Sequence, residues 1–243
     1  MQDKEVVEDA LNALTTVSER AMPRILSQIC RDENSPFFGC ADRNWWHYKM
    51  RDFPSIILQQ SGATIHAARG LKSFSDYPNE LKKLTTASCK FWNERAVRFR
   101  SFEEYYPWEE GYPPLAFSTL STVRMVAEGV IDIDYVIPGI KIASKQLLSR
   151  FESQAANQQV AGLAALSWVH KISPSLVSSA EINVLIEKTL QLQDEEGWFN
   201  EYGGPDLGYL SVTIDCLWDS FDAIGDSRLI ESAKKALNFL DEM

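Results

Sequence analysis

Apolar residues recur at intervals of three and four positions along most of the chain, the spacing that places them on one face of an α-helix. In the first segment this set comprises Val6, Ala10, Leu11, Leu14, Val17 and Ala21. The pattern predicts an amphipathic helix from Asp3 to Ile29. We expect Pro23 to break or kink this helix, because proline removes a backbone hydrogen bond.

The same periodicity predicts eight further helices. They are expected over residues 54–71, 80–99, 114–128, 133–151, 154–170, 178–192, 207–223 and 227–241. No convincing stretch alternates with period two, as a half-buried strand would. Ser173-Pro174 and Gly225-Asp226 are short turn signals, and no Ser/Gly-rich linker divides the chain. We therefore predict an all-α fold in a single domain spanning residues 1–243.

Two loops of the chain echo each other. Residues 104–112 (EYYPWEEGY) align without gaps on residues 201–209 (EYGGPDLGY), and a Phe stands two positions before the Glu in both copies. Each copy leads into a predicted helix. Repeated helical hairpins bury their apolar faces against neighbouring repeats, as solenoids or closed rings. In a ring, both loops would open on one central cavity.

The segment before the second loop carries a family resemblance. Residues 190–199 (LQLQDEEGWF) resemble the Q…GxW loop of α/α-toroid proteins such as terpene cyclases and protein prenyltransferases. The continuation over residues 201–209 is more similar to the helical domain of heparinase II/III-like polysaccharide lyases and related carbohydrate-active proteins. The resemblance implies helical hairpins arranged as an incomplete or closed α/α toroid, with a lyase-like or glycan-modifying activity.

The chain also departs from these families. Asp132 and Asp134 give only part of the DxDD element of protonating cyclases, and the DDxxD motif of metal-dependent terpene synthases is missing. Terpene cyclisation is therefore the weaker alternative. Lyases of the heparinase type carry a large β-sandwich after the toroid, whereas this sequence ends at Met243. The resemblance thus implies that the sandwich is absent or supplied by a partner polypeptide.

Composition excludes several classes of function. The net charge is −10 without a Lys/Arg-rich run, which argues against a nucleic-acid partner. No run of 18 apolar residues or secretory leader is found, so we expect no membrane span and a cytoplasmic location. The four cysteines form no CxxC pair and the three histidines no HxH or HxxxH pair, so we expect no metal and no cofactor.

The densest group of polar and aromatic residues lies between the first two predicted helices. Its candidate substrate-binding members are Asp42, Arg43, Asn44, Trp45 and Trp46, and its candidate catalytic members are His47 and Tyr48. An Arg can hold a carboxylate, a Trp can cover an apolar sugar face, and a His or Tyr can move a proton. This chemistry suits an acidic saccharide. Alternatively, the tryptophans anchor a hairpin and the charges form surface ion pairs.

The two echoing loops supply the second set of candidates. Glu104 and Glu201 are the candidate catalytic carboxylates, because acids that share a cavity can act as general acid and base. The candidate substrate-binding residues here are Tyr105, Trp108, Tyr202, Asp206 and Tyr209. The alternative is structural, since acids near a helix start often only cap backbone amides. His66 is interpreted as a core or groove residue, and His170 as a residue at a helix end, where a positive charge is favourable; neither is assigned to a site.

Two functions follow from these patterns. The first is a carbohydrate-active or carbohydrate-binding helical toroid that acts on an acidic oligo- or polysaccharide through the central cavity. The second is a non-catalytic helical-repeat module that binds a glycan or protein within a larger assembly.

Overall fold

A computed structural model describes residues 2–42, 54–106 and 108–243. This part of the chain is all-helical and contains no strand, as the periodicity predicted. Its α-helices are α1 (Gln2–Ser27), α2 (Ser61–Ala67), α3 (Pro78–Phe99), α4 (Tyr112–Ala127), α5 (Ile137–Ser149), α6 (Ala156–Ile172), α7 (Ser179–Leu190), α8 (Leu207–Ile224) and α9 (Ser227–Glu242).

Two predicted helices are subdivided. The 54–71 segment forms a 3₁₀ turn over Ile56–Gln60, the short helix α2, and a second 3₁₀ turn over Ala68–Gly70. The 133–151 segment begins as a 3₁₀ turn over Ile133–Tyr135, and α5 starts only at Ile137. Pro138 lies in the first turn of α5, where the missing N–H costs no intrahelical hydrogen bond. Proline placement therefore sets the start of α5.

The first helix differs from its prediction at Pro23. Of the break or kink expected there, the break does not occur, because the helix continues through Pro23 to Ser27. Beyond Pro23, Leu26 packs in a small apolar cluster that also holds Met22, Ile65 and Leu81. Burial of this last turn supplies a tertiary reason for the helix to continue, which the local sequence did not show.

The main apolar core forms around α6. This helix packs between α4 and α8, and residues 159–169 are buried on every side. Helices α5, α7 and α9 each pack against at least one of these three. We call α4, α6 and α8 the inner helices. They run parallel, because contacts join the N-terminal turns of α4 and α6 at one end, and Arg124, Trp168 and Asp219 near their C-termini at the other.

No helix within the described ranges is both long and apolar enough to cross a membrane.

Candidate functional site

The two echoing loops lie at the same end of the inner helices. The 100–111 loop leads into α4 and the 191–206 loop leads into α8. The second loop pairs with the start of α6 through an Ala156 N–H that donates to the Asn200 carbonyl at 3.0 Å. At the start of α4, the Tyr112 ring lies against Gly162 of α6. We call this region, formed by the two loops and residues 150–159, the acid-aromatic end.

Glu201 closes the N-terminus of a neighbouring helix. Ala155, the residue before α6, has no side-chain oxygen with which to cap it. The Glu201 Oε1 accepts a 2.7 Å hydrogen bond from the Asn157 N–H instead. The carboxylate of one inner repeat therefore caps the helix of the repeat before it, where the helix dipole favours a negative charge.

The second carboxylate oxygen of Glu201, Oε2, makes no such hydrogen bond. Glu201 is buried, and its Oε2 has no hydrogen-bond partner among the described residues. Burial raises the pKa of Glu201, the Asn157 hydrogen bond opposes that rise, and the nearby Asp206 and Glu152 carboxylates add to it. The protonated form is thus favoured more than in water, and the spare oxygen could exchange a hydrogen bond with a ligand.

Glu104 lies in a tighter loop. Its backbone N–H donates to the Glu109 carbonyl at 3.2 Å, and the Glu109 Oε2 accepts hydrogen bonds from the Tyr105 and Tyr106 N–H groups. Burial raises the pKa of the half-buried Glu104, and the Glu109 charge raises it further. The Glu109 carboxylate therefore holds the loop by two backbone hydrogen bonds and raises the pKa of Glu104.

The neighbouring Glu103 has a structural partner. It is buried and lies 3.5 Å from the buried Arg95 of α3. The echo pairs Glu104 with Glu201, yet in the first loop it is Glu103 that is as deeply buried as Glu201. Sequence reasoning missed this pair, because Arg95 belongs to the preceding helix and carries no motif.

Aromatic rings stand exposed around these carboxylates. Four of the predicted substrate-binding residues are 47–81% exposed, namely Tyr105, Trp108, Tyr202 and Tyr209. Trp108 and Tyr202 have φ angles of 67° and 54°, in the left-handed region that large side chains rarely adopt. Each loop thus holds one large, solvent-exposed ring on a strained backbone, a feature found mostly at functional positions.

The helix starts behind the two loops are not equivalent. Asp206 is the N-cap of α8, and its Oδ1 accepts a 2.8 Å hydrogen bond from the Tyr209 N–H. Tyr209 therefore lies inside the first turn and is exposed, whereas its counterpart Tyr112 opens α4 and is buried. For Asp206 the capping alternative is the role that the structure describes.

The Q…GxW segment connects the second loop to α9 by hydrogen bonds. Gln193 donates from Nε2 to the carbonyls of Gly197 and Ser232, and it accepts a 2.7 Å hydrogen bond from the Ser232 hydroxyl. Gly197 has a φ of 107°, and a Cβ there would lie 2.5 Å from the Lys235 carbonyl oxygen. The loop therefore requires both the Gln and the Gly.

The other predicted cluster is described only at its first residue. Asp42 is buried and its N–H donates to the Gln28 carbonyl at 3.0 Å. The remaining members lie outside the described residues, namely Arg43, Asn44, Trp45, Trp46, His47 and Tyr48.

A second polar cluster occupies the opposite end of the inner helices. Arg124 donates to Asp219 at 2.8 Å and to Glu128 at 3.1 Å, and Glu128 lies 3.4 Å from the His66 Nε2. Trp168 lies beneath the Arg124 guanidinium. We call this set of five residues the ion-pair end. Arg124 and Glu128 lie four residues apart at the end of α4, the other three members are distant from them in sequence, and the set was not predicted as a site.

Two titratable groups at the ion-pair end, Asp219 and His66, have shifted pKa values. Burial raises the pKa of Asp219 to about 6 despite the attraction of Arg124. Burial lowers the pKa of His66, Glu128 opposes that shift, and Arg69 adds to it. Both groups are thus driven toward their neutral forms, as expected when a titratable side chain is buried, as Asp219 is, or half-buried, as His66 is.

Neither end carries a recognisable metal centre. Across residues 2–42, 54–106 and 108–243, no group of three or more His, Cys, Asp or Glu residues could hold a metal ion.

Comparison with known proteins gives no relative: no protein-family model, curated protein or solved structure matches the chain.

Proposed function

We propose that the acid-aromatic end binds a saccharide and that this chain is a carbohydrate-active α/α toroid. The observation that carries the proposal is the pairing, in each echoing loop, of an exposed ring on a left-handed backbone with a carboxyl group of raised pKa: Trp108 with Glu104, and Tyr202 with Glu201. Rings cover the apolar faces of sugars, and carboxyl groups exchange hydrogen bonds with their hydroxyls.

The toroid arrangement is supported by the repeated packing of the helices. The three parallel inner helices α4, α6 and α8 alternate in the chain with α5, α7 and α9, which pack against them. The loops before α4 and α8 therefore repeat one position in the architecture. In such an array the ligand would span both loops, and the loop residues would face it together.

In the enzymatic form of this proposal, a carboxyl group of raised pKa donates a proton to a leaving oxygen. Glu201 suits this role because its Oε1 is fixed by the Asn157 N–H while its Oε2 has no partner in the described part of the chain. Glu104 then acts as the second acid or orients hydroxyls. His47 or Tyr48 would take a proton, and Arg43 would hold the carboxylate of an acidic saccharide.

A binding module without catalysis is the second candidate. It is favoured because the carboxylates already stabilise the fold. Glu201 caps α6, and Glu109 accepts two backbone hydrogen bonds within its own loop. In this form the rings and carboxylates hold a glycan, and the chemistry belongs to a partner polypeptide.

The test is a screen of neutral and uronate-containing oligosaccharides for binding and for turnover. The double variant Trp108→Ala/Tyr202→Ala should weaken binding at least tenfold. Trp218→Ala is the matched control, because Trp218 is 50% exposed on α8 and belongs to neither echoing loop. Binding lost in the double variant and kept in the control supports the proposal. Equal loss in both, or no binding by the parent chain, would sink it.

Glu201→Gln separates the two forms. It keeps an oxygen for the Asn157 amide but has no proton to give. Loss of turnover with binding retained supports the enzyme, whereas binding without turnover in the parent chain supports the module.

A further inference from the structure

A groove separates α5 from α7. Both helices pack against α6, and no comparable packing joins one to the other. Two adjoining cavities of about 300 Å³ and 440 Å³ lie along this gap, and Leu148 and Ser149 line both of them. The cavities therefore form one continuous depression, which we call the α5–α7 groove.

The two walls of the groove run in the same direction. Helices α5 and α7 each return the chain from the end of one inner helix to the start of the next, and the inner helices are parallel. Residues between 141 and 149 line one wall, and residues between 180 and 188 line the other. Each segment spans about 12 Å of helix, so the groove is long enough to hold roughly two turns of a third helix.

The charge of the groove is opposite to that of the chain as a whole. The chain has a net charge of −10, yet Lys141, Lys145 and Lys188 line this groove, and none of the three has an ion-pair partner in the described part of the chain. The acid that lines it, Glu181, is already engaged, since its Oε2 accepts hydrogen bonds from the N–H and the hydroxyl of Ser178. The groove is therefore a locally basic surface that attracts an anionic partner.

Apolar side chains share the groove with these lysines. Phe151 and Val184 are 42% and 48% exposed, and the half-buried Leu148 and Leu176 also line it. A nucleic acid, which is held mainly through its phosphates, would leave these side chains uncovered. An anionic bilayer receives apolar groups that protrude from a protein, whereas these lie between two helices. The surface therefore suits a partner that carries both acidic and apolar side chains.

We infer that the α5–α7 groove binds an acidic amphipathic helix of a partner protein. Lys141 and Lys145 are one helical turn apart and so match carboxylates at positions i and i+4 of such a helix. The apolar face of the same helix covers Phe151 and Val184, which is the helix-in-groove mode of recognition. This inference is independent of the saccharide proposal, because none of the exposed rings of the two echoing loops lines the groove.

The first test measures the binding of fluorescein-labelled peptides to the full chain by fluorescence anisotropy. The probes are helical peptides of about 14 residues with Leu, Ile or Phe on one face and Glu beside it, and each has a basic copy with Lys in place of Glu. We expect an acidic peptide to bind and its basic copy to bind about tenfold more weakly or not at all.

Two charge-reversal variants locate the site. Lys141→Glu/Lys145→Glu should weaken binding of the acidic peptide by about tenfold or more, because it places like charges against the Glu side chains. Lys234→Glu/Lys235→Glu is the matched control and should bind like the parent chain. It changes the net charge equally, and both lysines are exposed on α9 and line neither cavity. Circular dichroism of both variants checks that the fold persists.

A second pair of variants tests the apolar contact. Val184→Ser should weaken binding by about threefold or more, because it removes part of the apolar area that the peptide buries. Leu237→Ser is the control, since Leu237 is 44% exposed on α9, and it should leave binding unchanged.

Four outcomes would overturn the inference. They are binding by no acidic peptide, equal binding of the basic copies, equal loss of binding in the two lysine variants, and binding of phosphatidylglycerol vesicles in place of the peptides. Self-association of the parent chain that Lys141→Glu/Lys145→Glu abolishes would assign the groove to a second copy, and it would overturn the inference as well.

Discussion

The two ends of the inner helices bury carboxylates in different ways. At the ion-pair end, Asp219 lies 2.8 Å from the Arg124 guanidinium, which also holds Glu128. At the acid-aromatic end, Glu201 receives one backbone N–H from α6, and its other oxygen has no partner among the described residues. Burial raises the pKa of both acids.

This difference separates a structural cluster from a candidate site. A carboxylate that has a cationic partner within the fold has little need of a ligand. A carboxyl group with a spare oxygen, beside exposed rings on strained backbone, can accept one. Raised pKa values alone would not have distinguished the two ends, whereas the partners and the exposed rings do.

The largest expected effect concerns the apolar anchors of the two echoing loops. Phe102 and Phe199 are each 1% exposed. Phe199→Ala should lower the free energy of unfolding by about 3–5 kcal/mol because it leaves a cavity, and Phe102→Ala should do the same. Urea denaturation of each variant checks this. A loss below about 1 kcal/mol in one of them would show that the two loops are not anchored alike.

Replacing the half-buried Trp198 should destabilise the fold less than replacing Phe199. We expect Trp198→Ala to cost less than Phe199→Ala, because the Trp198 ring is partly exposed and its Nε1 donates to the exposed Glu196 at 3.2 Å. An unchanged melting temperature would mean that the Q…GxW resemblance has no structural basis in this loop.

At the ion-pair end, Arg124→Ala should cost about 1–3 kcal/mol at pH 7, since it leaves a buried acid without its cation. The Arg124 side chain is 38% exposed, which keeps this below the cost of breaking a fully buried pair. Denaturation of Arg124→Ala and of the exposed control Arg98→Ala at pH 4 and pH 7 measures it.

The pH dependence of that loss follows from Asp219. Its pKa rises from 3.8 to about 6 on folding, so its contribution to stability is complete below about pH 4 and is lost as the pH rises through 6. A protonated Asp219 needs no cation. The cost of Arg124→Ala should therefore be smaller at pH 4 than at pH 7, and an equal cost at both would contradict the assigned pairing.

At the acid-aromatic end, Glu201→Ala should cost about 0.5–2 kcal/mol, the range for removing a helix N-cap. Glu201→Gln should cost less, because its side-chain oxygen can still accept from the Asn157 N–H. If Gln proves as costly as Ala, the cap assigned to Glu201 is wrong.

The smallest expected effect tests backbone strain. Tyr202→Gly should be more stable than Tyr202→Ala by about 1 kcal/mol, because glycine adopts a φ of 54° without penalty. The same comparison at Tyr105, which is not among the positive-φ residues, is the control and should not favour glycine. Equal stability of the two Tyr202 variants would show that the backbone at residue 202 is not strained.

Much of the helical pattern could be predicted from local sequence. The start of α8 at Leu207 and of α9 at Ser227 agrees with the prediction, and the Asp226 side chain caps α9 directly after the predicted turn. The break at Pro23 was wrong because the apolar cluster around Leu26 stabilises the turn that follows. Local periodicity carries no information on that cluster.

The site was less accessible to sequence reasoning. The echo predicted two similar loops, but the position of the capping residue decides where each helix starts. Asp206 caps α8, so this helix starts at Leu207, before Gly208-Tyr209. The other helix, α4, starts at Tyr112 itself. The contacts from Glu201 to Asn157 and from Arg124 to Asp219 join residues 44 and 95 positions apart. No motif at such separations marks a partner, so only the fold brings them together.

The most direct measurement is the indole N–H region of a two-dimensional ¹H–¹⁵N NMR spectrum during titration with the saccharide that binds best in the screen. Trp108→Ala and Trp218→Ala assign the two signals that matter. The account predicts that the Trp108 signal shifts in proportion to saturation while the Trp218 signal stays in place. A shift of Trp218 with Trp108 unmoved would contradict the central claim that the acid-aromatic end is the binding site.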